Sequence, residues 1–314
     1  MSDAAATDTI LVTGASGVIG SRLVDRLLAG GRRVRVAGRR LDRLRARWPD
    51  VEAVELDVLR PETLEPALDG VRVAHYLVHS MESGTGGAFR ERDATGASAF
   101  ARAASSAGLD RIVYLGGLGR EGDELSEHLE SRHETGRILA EDGPPLVEFR
   151  AAMVIGADSA SYRMLTDLVR RLPAMVLPRW VSTPSQPIAL DDVVSYLSAA
   201  VDVETADRHV IFEIGGPDVL TYRDMIEIVA RDRGRHPVLV AVPFLTPKLS
   251  SYWCAITTSV PMATAQPLIA GMTVPTVVHS DAARAAFPGI RPMPFRDALA
   301  RATAEADRGR SGAA

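Results

Sequence analysis

Residues 13–20 read "TGASGVIG". Upstream, "TILV" at 9–12 is apolar and β-branched, a strand pattern. Downstream, from about Val18 to Ala29, apolar residues recur at helical spacing. Gly14, Gly17 and Gly20 therefore occupy a strand-to-helix turn at G-x-x-G-x-x-G spacing. Gly14 permits the tight turn, Gly17 lets backbone approach a pyrophosphate, and Gly20 lets the helix pack on the strand. Ser16, Val18 and Ile19 fill the same turn, where phosphates meet the positive end of the helix. A glycine pattern alone is weak. A strand before it and a helix after it make it a nucleotide site.

The alternation continues to residue 156. "RRVRVAG" (32–38), "VEAVELD" (51–57), "RVAHYLVHS" (72–80), "RIVYLGG" (111–117) and "LVEFRAAMVIG" (146–156) read as strands. "AFRERDATGASAFARAASSAG" (88–108) and "SEHLESRHETGRIL" (126–139) read as helices. Strands alternating with helices imply right-handed crossovers and a doubly wound parallel sheet, an α/β fold of Rossmann type. Past Gly156 proline becomes frequent and the rhythm breaks. The expected organisation is a nucleotide-binding domain over 1–156, rejoined by 186–214. A smaller lobe made of 157–185 and 215–303 would cover the C-terminal edge of the sheet. Residues 304–314 look like a frayed polar tail.

Composition excludes several classes. The chain has 314 residues, 46% apolar and 24% charged, ordinary values for a globular protein. The net charge of −4 and scattered arginines argue against a nucleic-acid partner. Cys254 is the sole cysteine, so neither a disulfide framework nor a thiolate metal cluster is expected. No apolar run approaches the roughly 20 residues of a spanning helix. "MSDAAATDT" has no basic start and no apolar core, so no membrane role and a cytoplasmic location are expected. Lys248 is the only lysine among 36 basic residues.

The tip of the second strand selects the cofactor. NAD enzymes place a carboxylate there for the ribose 2′-hydroxyl. Here it reads Gly38, Arg39, Arg40, and arginine offers a planar donor fork for a 2′-phosphate. NADP(H) is the expected cofactor. Asp57 and Val58 follow the third strand and would meet the adenine. Leu77, Val78 and His79 follow the fourth and would flank the adenosine ribose.

The glycine motif, "LDV" at 56–58, "QPIALDDV" at 186–193 and "IGGPDVLTYRDM" at 214–225 together resemble the extended and atypical short-chain dehydrogenases/reductases, the NmrA-like members in particular. The resemblance runs to about Ala230. It implies a cleft between a Rossmann domain and a substrate lobe. Catalytic members carry a serine or threonine after strand five and a Tyr-x-x-x-Lys in the next helix. Here Gly116 and Gly117 stand in the serine's place. Arg132 falls at the lysine position, beside the cofactor, and His128 at the tyrosine position. Arginine keeps the lysine's charge but is a poor proton shuttle, with a pKa above about 12. His128 is one candidate for proton transfer, and His79 and Ser80 at the end of the fourth strand could also reach the cleft and act directly. On the helix itself Leu129, Arg132, Gly136 and Leu139 form one stripe, and His133 and Glu134 look solvated.

Two functions follow. The first is NADPH-dependent reduction of a ketone in a flat hydrophobic molecule, the substrate assisting its own protonation. The chain resembles reductases that tailor aromatic polyketides, angucyclinones included. Met81, Tyr162 and Trp253, with Met262 and Met272, would form the substrate wall. The second is a catalytically silent NADP(H) sensor acting through a partner. The charged helix at 126–139 favours a monomer.

Overall fold

The computed structural model describes residues 8–79, 88–120, 125–242 and 257–311. The first half runs β1 (Thr9–Val12), α1 (Val18–Ala29), β2 (Val34–Gly38), α2 (Leu41–Arg47), β3 (Glu52–Glu55), α3 (Leu64–Leu68), β4 (Val71–Tyr76), α4 (Ala88–Ser106), β5 (Arg111–Gly117), α5 (Glu127–Asp142) and β6 (Leu146–Ala151). Then come β7 (Val154–Ile155), α6 (Ala160–Arg171), β8 (Ala174–Leu177), β9 (Pro184–Ser185), β10 (Ile188–Ala189), α7 (Leu190–Ala199) and β11 (His209–Ile214). The chain ends with β12 (Leu220–Thr221), α8 (Tyr222–Asp232), β13 (Val238–Ala241), α9 (Met262–Gly271), α10 (Ala282–Ala286) and α11 (Phe295–Ser311).

Seven strands form one sheet in the order β11-β6-β5-β4-β1-β2-β3, every pair parallel. The order reverses at β1, whose neighbours are β2 and β4. A parallel sheet must bury both faces, and β1, all four residues buried, reads as an unbroken apolar run for that reason. One face packs on α1, α7 and α10 through Leu23, Tyr196 and Phe287. The other packs on α3, α4 and α5 through Leu68, Phe100 and Leu139. A separate apolar cluster joins α6, α8, α9 and α11, with Val169, Met225, Ile269 and Leu299 at its centre. The chain returns to the sheet at β11, which pairs with β6 over His209–Ile214.

Side-chain caps start the helices that frame the cleft. Ser126 Oγ accepts from Leu129 N at the head of α5, and Ser159 Oγ from Tyr162 N at the head of α6. Thr221 and Asp224 form a reciprocal capping box on α8.

The structure departs from the sequence reading in three places. "LVEFRAAMVIG" is two strands: β6 stops at Ala151, and Val154–Ile155 pairs instead with Ile188–Ala189. The short helices α2 and α3 occupy connections to which the sequence pattern assigns no element. The polar tail is helical: α11 continues to Ser311, with Ala302 and Ala306 on the second core and Glu305 ion-paired with Arg22 of α1.

Candidate functional site

Thr13 closes the end of β1 onto β4. Its amide and hydroxyl both donate to the His75 carbonyl, at 3.0 and 2.9 Å, and its Oγ1 accepts from Leu77 N at 2.9 Å. The next residue, Gly14, has φ 60°, and a Cβ there would lie 2.7 Å from the Leu77 carbonyl oxygen. A Cβ on Gly20 would lie 2.4 Å from the Gly14 oxygen. The turn is thus closed to side chains on its inner side, while Ser16 and Gly17 face outward, exposed. First-turn amides of a helix have no intrahelical acceptor, and α1 begins here with no acidic residue in its first turn. A diphosphate fits this cradle by charge and by the space the glycines leave.

The turn opens into a cleft of about 500 Å³. Gly14, Gly17, Val18, Ile19, Gly20 and Leu77 line one end. Gly116, Gly117, His79, His128 and Arg132 line the middle, and Leu118, Leu129, Met153, Leu268 and Met272 the apolar side. A larger hollow of about 890 Å³ lies between α6, α8 and α11. It is edged by Arg163, Arg170 and Arg233 with Asp158 and Asp167, and the glycine turn is not part of it.

Arg39 and Arg40 are exposed just past β2. Asp57 Oδ1 accepts from Leu59 N, and Val58 is buried against α4 at Gly96. Val78 packs on the core beneath α4. Of these cofactor candidates, none lines the cleft.

On α5 the buried stripe holds Leu129, Ser131, Thr135, Gly136 and Leu139. Arg132 sits at its edge, half-buried, its guanidinium 4.9 Å from the centre of the Tyr114 ring. That is a cation–π contact, and the Tyr114 hydroxyl donates to the Arg132 carbonyl at 3.0 Å. His133 is not solvated as its helical position implied: its Nε2 bonds the Gly117 carbonyl at 3.0 Å. A Cβ on Gly117 would come within 2.5 Å of Leu129 Cδ2, so a leucine fills the place of the family's hydroxyl.

A polar cluster sits at the same level. Asp93 of α4 is buried and accepts from His79 Nδ1 at 3.0 Å and from Ser131 Oγ at 3.4 Å. The His79 and His128 rings lie 5.0 Å apart. Burial, then His79, then Arg132 push the His128 pKa down to about 3. Burial also lowers that of His79, though Asp93 works against it. The sequence reading missed Asp93. It follows Arg90, Glu91 and Arg92, and among those neighbours it looks like one more surface charge.

Tyr162 does not join the cleft wall. The phase of α6 turns it into the larger hollow, where its hydroxyl donates to Thr303 Oγ1 at 3.1 Å and accepts from Arg233 at 3.3 Å. Met272 lines the cleft and Met262 does not. Ser80, Met81 and Trp253 lie outside the described residues. Among the described residues no group of three His, Cys, Asp or Glu is placed to hold a metal, and no helix is long and apolar enough to cross a membrane.

Residues 14–143 match the family model described as NAD(P)H-binding. Among curated proteins, a ceramide reductase of Caulobacter vibrioides is 25% identical over 240 residues, 76% of this chain and 74% of that protein. The photosystem II assembly factor Ycf39 of Cyanophora paradoxa is also 25% identical, over 75% of this chain and 72% of its own. Among solved structures, the Citrobacter sp. triphenylmethane reductase complexed with NADP(H) superposes with a TM-score of 0.72 at 17% identity, covering 94% of this chain and 99% of that one. At that identity the likeness speaks to the fold. The glycine turn and Arg132 both fall inside the matched residues.

Proposed function

We propose that the protein is an NADPH-dependent reductase of a carbonyl group in a hydrophobic substrate. One observation carries this reading: the glycine turn, Arg132, the two histidines and an apolar wall share one cleft. NADPH bound there supplies hydride. The first turn of α1 would hold its diphosphate, and Arg39 and Arg40 its 2′-phosphate. Asp57 and Val58 stand on the adenine side. Arg132, fixed over Tyr114, would place positive charge near the nicotinamide ribose. Leu118, Leu129, Met153, Leu268 and Met272 would exclude water and hold the substrate's apolar body.

The substrate we favour is a hydroxyaryl ketone of the aromatic polyketide type, angucyclinone-like, in which a neighbouring phenol polarises the carbonyl. The kinship with a ceramide reductase makes a long-chain ketone the rival within the same class. The charged exterior of α5, with Arg137 paired to Glu141 and Arg90 to Glu130 and Glu134, supports a working monomer.

Loss of nicotinamide absorbance across a panel of hydroxyaryl ketones, quinones and long-chain ketones tests the activity, and consumption with at least one is expected. NADPH should bind at least tenfold more tightly than NADH by calorimetry, and Arg39→Ala should remove most of that difference. Equal affinities in the unaltered protein would overturn the assignment of the two arginines. The leucine in place of the family's hydroxyl favours a second reading, an NADP(H) sensor without turnover. Tight NADPH binding with no carbonyl consumed would select it.

A further inference from the structure

We infer that His79, oriented by Asp93, is the group that transfers the proton in this cleft. The inference rests on the reductase reading and names the residue that the altered family pattern leaves open.

The geometry distinguishes the two cleft histidines. His79 Nδ1 is bonded to Asp93 Oδ2 at 3.0 Å. A carboxylate acceptor fixes the proton on Nδ1 and the ring's orientation, so the reactive nitrogen is Nε2. That atom is buried and meets no hydrogen-bond partner among the described residues. A buried imidazole nitrogen without a partner costs free energy unless a ligand completes it. His79 lines the cleft beside His128 and Arg132, where a substrate oxygen would complete it. Asp93 is held in turn by the hydroxyl of Ser131. The arrangement matches a base whose orientation is set by a third group. His128 has no such carboxylate, and its charged form is opposed by burial, by His79 and by Arg132.

The groups facing His79 are Asp93 from α4 and His128 and Arg132 from α5. Arg132 disfavours the imidazolium and Asp93 favours it, so the pair can exchange a proton without storing it. In the reducing direction the carbonyl carbon receives the hydride pair, and the C=O π pair moves onto oxygen. For this the resting Nδ1–H ring first takes a solvent proton on Nε2; oxygen then bonds that proton, the N–H pair returns to Nε2 as a lone pair, and the neutral Nδ1–H ring is restored. In the oxidising direction the Nε2 lone pair takes the alcohol proton.

Nitrogen-detected NMR of the protein without cofactor tests the pair independently of turnover. The neutral His79 ring should carry its proton on Nδ1 and titrate below the ordinary histidine value of 6.5. Asp93→Asn, which keeps the size of the side chain, should lower that midpoint by about one unit or more. With an accepted carbonyl, His79→Ala should lower kcat about 100-fold. Added imidazole should restore part of the rate, which a purely structural role would not allow. If His79→Ala does not fold, the Asp93→Asn titration and the pH profile of its kcat decide. A neutral ring protonated on Nε2, an unchanged kcat in His79→Ala, or failure of imidazole to rescue would overturn the assignment. A wild-type protein that consumes no carbonyl would instead overturn the reductase reading, and the NMR arms would still decide the state of the pair.

Discussion

At Gly117 packing leaves no room for a side chain. The space a serine side chain would occupy is already filled by Leu129, which is buried where α5 meets β5. Gly117→Ser therefore should not restore a catalytic hydroxyl. It should destabilise the fold by about 1–3 kcal/mol, read as a lower urea midpoint with an unchanged slope, and should not raise kcat. A gain in rate would contradict the packing described here. Single residues also mark what the sequence could and could not disclose. The glycines of the turn were legible because each answers a local backbone requirement that is the same in any chain. Asp93 was not, since its partner His79 is distant in sequence and becomes a neighbour only when α4 packs beside β4.

The seating of α5 depends on a charge inside the sheet. Glu148 on β6 is fully buried, its Oε1 2.6 Å from Arg150 Nε and its Oε2 2.9 Å from His209 Nε2. Burial alone would raise its pKa; the His209 hydrogen bond and the Arg150 charge outweigh that and hold it below the usual carboxylate range. Gly136 of α5 comes so close that a Cβ would lie 2.5 Å from Glu148 Oε2. Glu148→Ala removes the carboxylate that Arg150 and His209 share and should cost about 3 kcal/mol, measured by urea unfolding. A loss under 1 kcal/mol would mean that apolar contacts alone seat the helix. Periodicity found the first six strands of the main sheet and the helices α1, α4 and α5, since each carries several turns or pleats of pattern. It missed α2 and α3, which are too short to show a period. It also missed the break after Ala151, because a strand that changes partners keeps its apolar composition. On α5 it found the inward side but not the polar residues Ser131 and Thr135, which the packed interface tolerates because Ser131 bonds Asp93.

For the molecule as a whole, the buried ring of His75 and the half-buried ring of His128 set a pH dependence of stability. Burial holds the pKa of His75 at about 4 and that of His128 at about 3, while the ordinary value is 6.5. Above pH 6.5 both rings are neutral folded or unfolded, and no penalty arises. Below it the unfolded chain takes up protons that the folded chain refuses, so stability falls as pH drops from 6.5 toward 4. The limiting slope is about 1.4 kcal/mol per pH unit for each ring. The urea midpoint should fall steadily between pH 7 and pH 5. His75→Gln, which keeps a donor for the Leu197 carbonyl that His75 Nε2 meets at 2.9 Å, should make the decline shallower. A flat midpoint over that range would contradict the burial of these rings. The sheet as a whole was readable from alternation. The packing inside the second lobe was not, because its cluster gathers α6, α8, α9 and α11 from stretches far apart, each with too little pattern to declare a partner.

The final helix has a consequence of its own. Glu305 grips Arg22, on the outer side of the helix that leads away from the glycine turn, while Ala302 anchors the same segment in the other lobe. The last helix thus touches both layers within a single turn, the first through an ion pair and the second through an apolar contact. Shortening the chain there would alter how wide the crevice gapes, although no crevice residue had been touched.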